Sequence, residues 1–149
     1  MNTVRPDLAS AFERAPGLAE RVAAVVEAHA GTDEIVSAAR RELAGMSEAE
    51  RIAVLDAHPR IGADRTSLSP ESRREQGVDE DPAILRELAA LNDEYEGRFG
   101  FRFVVWVNGR QKSALIPVLR GRLGHDRARE LATGIEEFLA IAADRLRVK

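Results

Sequence analysis

The sequence predicts an all-α fold: a single compact domain, residues 1–149, of about eight short helices with one buried extended segment. Three observations carry this. Apolar residues recur at spacings of three and four along most of the chain. Proline, glycine and capping residues interrupt that pattern at short intervals. One apolar run, Phe101 to Val107, has a strand's composition but no second run of matching quality to pair with. At 149 residues and 44% hydrophobic, the chain suits one core, not two.

The elements follow in order. Leu8, Phe12, Leu18, Val22, Val25 and Val26 keep helical spacing, broken near Pro16-Gly17, so two helices meet there. Thr32 or Asp33 caps a third helix with Ile35, Val36, Ala39 and Leu43 on one face. Ser47 with Glu50 reads as a capping box opening a fourth, whose apolar positions are Ile52, Val54 and Leu55. That helix stops by Ala57-His58-Pro59, because a residue before proline is pushed out of the α region. A loop runs from His58 to Leu68. Ser69-Pro70-Glu71 then opens a short polar helix, Ser72 to Gln76, ending at Gly77. A longer helix begins at Asp81-Pro82, turns Ile84, Leu85, Leu88, Leu91 and Tyr95 inward, and ends at Gly100. Asn108-Gly109 are hairpin turn residues, yet the run before them reads as an extended segment held between helices. Two helices, near Ser113–Leu123 and Asp126–Arg147, complete the chain on either side of Gly124.

Composition narrows the function. No cysteine is present, so disulfides, thiolate zinc sites and thiol nucleophiles are excluded. No apolar run is long enough to span a bilayer, and Met1 to Asp7 lacks a leader's apolar core, so a soluble cytoplasmic domain without membrane contact is expected. Twenty of the 22 basic residues are arginine, but 25 acidic residues are interspersed with them, which argues against nucleic-acid binding. GxSxG, HExxH and phosphate-binding glycine loops are absent, and three scattered histidines do not suggest a metal site.

Two polar stretches stand out. His58, opening a proline-locked loop behind a helix C-terminus, suits an acid/base group; the alternative is that it merely caps the helix dipole. His29 and His125 sit at helix ends beside glycine or aspartate and read as solvated. Ser72, Glu75 and Gln76 share one helix face, where a hydroxyl, a carboxylate and an amide can bind a polar heterocycle; the alternative is a solvated surface helix. A short connection lets His58 and Glu75 face one cleft, where a carboxylate can orient an imidazole and favour its protonated form.

Ala57-His58-Pro59-Arg60-Ile61-Gly62, Ser72-Arg73-Arg74-Glu75-Gln76, Leu91-Asn92 with Tyr95, Phe99-Gly100-Phe101 and a last helix ending Asp144-Arg145-Leu146 occur in that order. The chain resembles, from about Leu8 to Leu146, the 2-oxo-4-hydroxy-4-carboxy-5-ureidoimidazoline (OHCU) decarboxylases of urate degradation. The resemblance implies a compact, often homodimeric all-α enzyme that needs no metal or organic cofactor and yields (S)-allantoin. It implies that His58 is the catalytic acid/base and that Glu75 works with it. Pro59, the Ser72–Gln76 stretch with Arg73 and Arg74, and the segment Phe103, Val104, Val105, Trp106 and Val107 then line the substrate pocket. Arg145 is implied to bind substrate, while Arg147, two residues on, points to another face. Arg102 stands where many members have proline, and Leu18 where an aromatic is common. Rival readings are a paralogue acting on another ureido-heterocycle and a non-catalytic helical module presenting Phe99 to Trp106 to a partner.

Overall fold

The computed structural model describes residues 6–12, 14–63, 68–76 and 81–147. Among them lie eight helices and no strand: α1 (Pro6–Ala11), α2 (Pro16–Val25), α3 (Thr32–Ala44), α4 (Glu48–Ala57), α5 (Pro70–Gln76), α6 (Pro82–Phe99), α7 (Lys112–Leu123) and α8 (Arg127–Arg147). No helix among the described residues is long and apolar enough to cross a membrane.

Local chemistry accounts for most boundaries. The capping box is formed: Ser47 Oγ accepts the Glu50 N–H at 3.1 Å while Glu50 Oε1 accepts the Ser47 N–H at 3.1 Å. Ser69 Oγ takes the Ser72 N–H at 3.0 Å, Asp81 takes the Ala83 N–H at 2.9 Å, and Asp126 takes the Arg129 N–H at 2.8 Å. Gly100, at φ 80°, ends α6 in the left-handed conformation that glycine adopts without a Cβ clash. The start of α3 differs from expectation. Its cap is Gly31 with no side-chain hydrogen bond, so Thr32 and Asp33 are already inside the helix, where Asp33 and Glu34 favour the positive end of the dipole. Val25 also departs from the inward pattern; it is 57% exposed because α2 ends there. The expected stop at Gly77 lies outside the described residues.

Helix α8 is the axis of the fold. It packs on α1, α3 and α4, while α2 lies on α3 and α6 pairs with α7. Its burial reaches well round the cylinder, from Leu131, Ile135, Phe138, Leu139 and Ala142 to the charged Glu130 and Arg145. Phe138 stacks on Phe12 of the N-terminal arm at 6.1 Å, and both rings are buried; each contributes roughly 1.5–3 kcal/mol by leaving water. Gly134 lets α4 approach closely, since a Cβ there would sit 3.0 Å from Leu55 Cδ1.

Phe101–Val107 is extended and almost wholly buried without a sheet. Side chains replace the missing strand. Arg122 donates to Val104 O at 2.7 Å, Glu137 accepts the Trp106 N–H at 3.3 Å, and Arg110 binds the carbonyls of Trp106 and Val107. Asn108 (φ 50°) and Gly109 (φ 75°) do form a tight turn with positive φ at both residues. The Arg110 N–H closes it on Val107 O at 3.0 Å, but the chain then enters α7 instead of returning as a second strand.

Candidate active site

Helix α4 delivers His58. It is the C-cap residue, extended at φ −77° and ψ 137°, and its N–H closes the helix on Leu55 O at 3.1 Å. The side chain is 6% exposed and meets Phe138 edge-on at 6.2 Å. His58 therefore ends α4 through its backbone N–H, while its side chain borders a hollow. That hollow is walled by His58, Ile61, Ser72, Glu75, Gln76, Val105, Trp106, Val107 and Ile141 and encloses about 10 Å³, room for about one water molecule.

The loop after His58 is held at successive peptides. Gln76 accepts the Gly62 N–H at 2.9 Å and donates to Arg60 O at 3.1 Å. Asn92 donates to Ile61 O at 3.2 Å and to Leu88 O at 2.9 Å. Arg60 reaches α6, with Nε 2.6 Å from Glu96 and Nη2 2.7 Å from Asp93; hydrogen bonding to Glu96 leads in raising its pKa, so its charge is fixed. Gly62, at φ 84°, turns the chain tightly over Leu88, whose side chain would lie 3.4 Å from a Cβ at that position.

Helix α5 presents Ser72, Glu75 and Gln76 to the hollow as one face, and leaves Arg73 and Arg74 exposed and off its wall. Glu75 is bound by Arg145 of α8 in a two-pronged pair, Nε to Oε2 at 2.9 Å and Nη2 to Oε1 at 2.8 Å. Arg145 also donates to Ser72 Oγ at 3.2 Å and to Ser10 O at 3.0 Å. It is 7% exposed and sits behind Glu75 and Ser72, not on the wall itself, which differs from the direct contact that the resemblance implies. Arg147 faces outward, 3.8 Å from Asp33 and largely solvated.

The extended segment divides. Val105, Trp106 and Val107 line the hollow; Phe103 and Val104 do not. Phe103 packs on Tyr95 at 5.3 Å and beneath the Arg122 guanidinium at 4.5 Å. Pro59 is buried next to His58 but off the wall. Sequence reasoning missed Ile61 and Ile141; the signal for Ile141 was its place one turn before Arg145 on α8.

A second polar cluster, also missed, lies under the segment. Glu130, fully buried, accepts from Tyr95 at 2.6 Å and Arg122 at 2.7 Å and meets His125 Nδ1 at 2.8 Å. His125 is thus not a solvated helix-end histidine but part of this cluster. Burial pushes the Glu130 carboxyl up, yet the hydrogen bonds from Tyr95, His125 and Arg122 outweigh it and hold the group below its ordinary value. Burial, then the bond to Glu130, raises the Tyr95 phenol. The cluster anchors Val104 and so fixes the segment that lines the hollow.

Other features carry less chemistry. A larger groove of about 590 Å³ between α3, α4 and α8 is lined by Leu43, Leu131 and Ile135 among others, but it holds no histidine. Two of its arginines are paired, Arg40 with Glu136 and Arg127 with Glu48. Phe99, Phe101 and Phe103 are buried against Tyr95, so they offer no aromatic face to a partner. Among the described residues no group of three or more histidines and acids is placed to hold a metal ion.

Known proteins resemble this chain in sequence and in fold. The family model described as OHCU decarboxylase matches residues 2–147. A Haloferax volcanii protein named 2-oxo-4-hydroxy-4-carboxy-5-ureidoimidazoline decarboxylase is 32% identical over 139 residues, covering 91% of this chain and 82% of the relative. A uric acid degradation bifunctional protein of Bacillus subtilis is 32% identical over 154 residues, 97% of this chain but 30% of its own length. A crystal structure of OHCU decarboxylase in the presence of (S)-allantoin superposes with a TM-score of 0.75 at 21% identity, covering 95% of this chain and 96% of the other. That likeness shows the fold.

Proposed function

The chain belongs to the OHCU decarboxylase family, and we propose that its own His58 hollow is where the reaction occurs. The enzyme is a carboxy-lyase of urate degradation that converts 2-oxo-4-hydroxy-4-carboxy-5-ureidoimidazoline to (S)-allantoin. The observation that supports the site is convergence. An imidazole from α4, the Ser72, Glu75 and Gln76 face of α5 and the backbone of 105–107 border one hollow.

The substrate brings its own electron sink, an imine beside the carbon that bears the carboxylate. As that C–C bond breaks and CO2 leaves, its electron pair becomes a double bond to the adjacent ring carbon. The imine pair moves onto the ring nitrogen, which takes up a proton. His58 removes the hydroxyl proton as the carbonyl forms and returns a proton to the adjacent carbon from one face. A positioned acid/base group of this kind contributes about 10²–10⁴-fold. Ser72 and Gln76 hydrogen-bond polar ring atoms, and Glu75, its two oxygens held by Arg145, shares the wall of the hollow with the imidazole. Arg145 acts through Glu75 and Ser72 as a positioning residue. Because about 10 Å³ does not admit the ring, binding widens the hollow. The cytoplasmic setting expected from composition and the homodimer that the resemblance implies belong to the same proposal.

The test is His58→Asn, which keeps a polar amide at the position of Nδ1 and removes the base. With the unstable intermediate made enzymatically from urate, the native chain yields (S)-allantoin and the folded variant only the racemate of spontaneous decay. Turnover close to native in that variant removes His58 from the mechanism.

A further inference from the structure

We propose that Arg102 is a positioning residue that holds His58 in register with the bound ring. This rests on the role assigned to His58 above. Arg102 lies in the extended segment, yet its hydrogen bonds go back to the end of α4. Its N–H donates to Asp56 Oδ1 at 2.9 Å, and its Nη1 donates to Asp56 O at 3.0 Å and to His58 O at 2.9 Å. The last carbonyls of a helix have no partner within it, and a cation there also meets the negative end of the dipole. Arg102 supplies both.

The effect on His58 is specific. Its peptide N–H is fixed on Leu55 O at 3.1 Å and its carbonyl on Arg102, so the backbone on both sides of its Cβ is pinned. Glu96 ties this anchor to the next residues of the loop: it accepts from Arg60 at 2.6 Å and lies 3.8 Å from Arg102 Nε. His58 and Pro59 are thereby held between two guanidiniums that converge on one carboxylate. Arg102 borders no part of the hollow, so it acts on the imidazole only through the backbone.

Three variants and one control test this. In Arg102→Ala, kcat falls about tenfold, well within the roughly 10²-fold that a 1 Å misplacement can cost, and KM stays within about twofold. The (S) excess, extrapolated to saturating enzyme, drops as water competes with a loosened imidazole. Arg102→Lys keeps the backbone N–H and a donor for the carbonyls and recovers most of kcat. Arg102→Pro, which removes the N–H as well, is the most impaired. Three results overturn the proposal: native kcat in Arg102→Ala while His58→Asn is inactive; a rise in KM at constant kcat; or a loss equal to the unfolded fraction by circular dichroism with the (S) excess intact. Activity in His58→Asn itself would instead overturn the reading of the site beneath it.

Discussion

Breaking the Arg145–Glu75 pair separates its structural cost from its chemical role. The side chains are 2% and 15% exposed, so both charges are largely out of water. Arg145→Met removes the two bonds to Glu75 and those to Ser72 Oγ and Ser10 O, and strands a carboxylate that retains some solvent. Orphaning a buried charge costs about 3–5 kcal/mol, and the partial exposure puts this variant near 3. Glu75→Leu strands a guanidinium with almost no solvent and belongs near 4 kcal/mol on the same scale. The double variant leaves no orphaned charge. With a coupling energy of about 3 kcal/mol, it loses about 4 instead of the additive sum. All three remain folded at 25 °C if the native domain has a stability within the usual 5–15 kcal/mol range. Urea unfolding at pH 7 measures this as shifts in midpoint at constant slope. Turnover behaves differently: all three variants are severely impaired, the double included. Additivity within about 0.5 kcal/mol would refute the pairing. Native turnover in the double variant would leave the pair a purely structural device.

Glu130→Gln lowers stability by about 3 kcal/mol at neutral pH. Because the carboxyl is held below its ordinary value in the folded chain, its contribution is present above the unfolded value and is lost as pH falls through the lower folded one. The gap between native and variant melting curves therefore narrows as pH falls below the ordinary carboxylate range; a gap that stays constant through that range contradicts this. Trp106 is the chain's one tryptophan and borders the hollow, so widening on ligand binding is read directly as a fluorescence change. Neutral (S)-allantoin binds about tenfold more tightly than the carboxylate diureidoacetate, which corresponds to about 1.4 kcal/mol; the reverse order, or no spectral change with either, refutes it.

Helix boundaries were legible wherever the deciding chemistry is local. Ser47 with Glu50, Ser69 before Pro70, Asp81 before Pro82 and Gly100 each act within one turn of themselves. The extended segment was legible as a negative: no partner strand exists in the sequence, and none is present among the described residues. What stayed hidden are pairings between charged residues far apart in the chain. Glu75 and Arg145 are 70 positions apart, and Glu130 looks in sequence like any acid on the polar face of a helix. Periodicity ranks such residues as solvated because an unpaired charge must be, and only the tertiary structure supplies the partners that let them be buried. Gln76 shows a subtler limit. Its place on the Ser72–Glu75 face suggested a substrate ligand, but its amide also clamps the peptides at Arg60 and Gly62, so the same side chain shapes the loop and borders the hollow.

The paired state of Glu75 also bears on how the reaction is accelerated. A free arginine in the hollow would bind the substrate's carboxylate strongly, but that charge passes into the ring as neutral CO2 forms. Such binding would favour the ground state over the transition state and lower kcat. Here most of the donors of Arg145 are directed at Glu75, Ser72 and Ser10, and its charge is matched by the Glu75 carboxylate. In the proposed site, the anion therefore meets no uncompensated cation among the described wall residues, and lies beside the apolar side chains of Ile61, Val105, Val107 and Ile141. As the C–C bond stretches, negative charge drains from the carboxylate into the ring. In the proposed mechanism the Ser72 hydroxyl, the Gln76 amide and His58, which line the hollow, offer hydrogen bonds and a proton there. Stabilisation grows along the reaction coordinate instead of being spent at its start, which is why a hollow that grips the leaving carboxylate weakly serves this reaction better than one that grips it well.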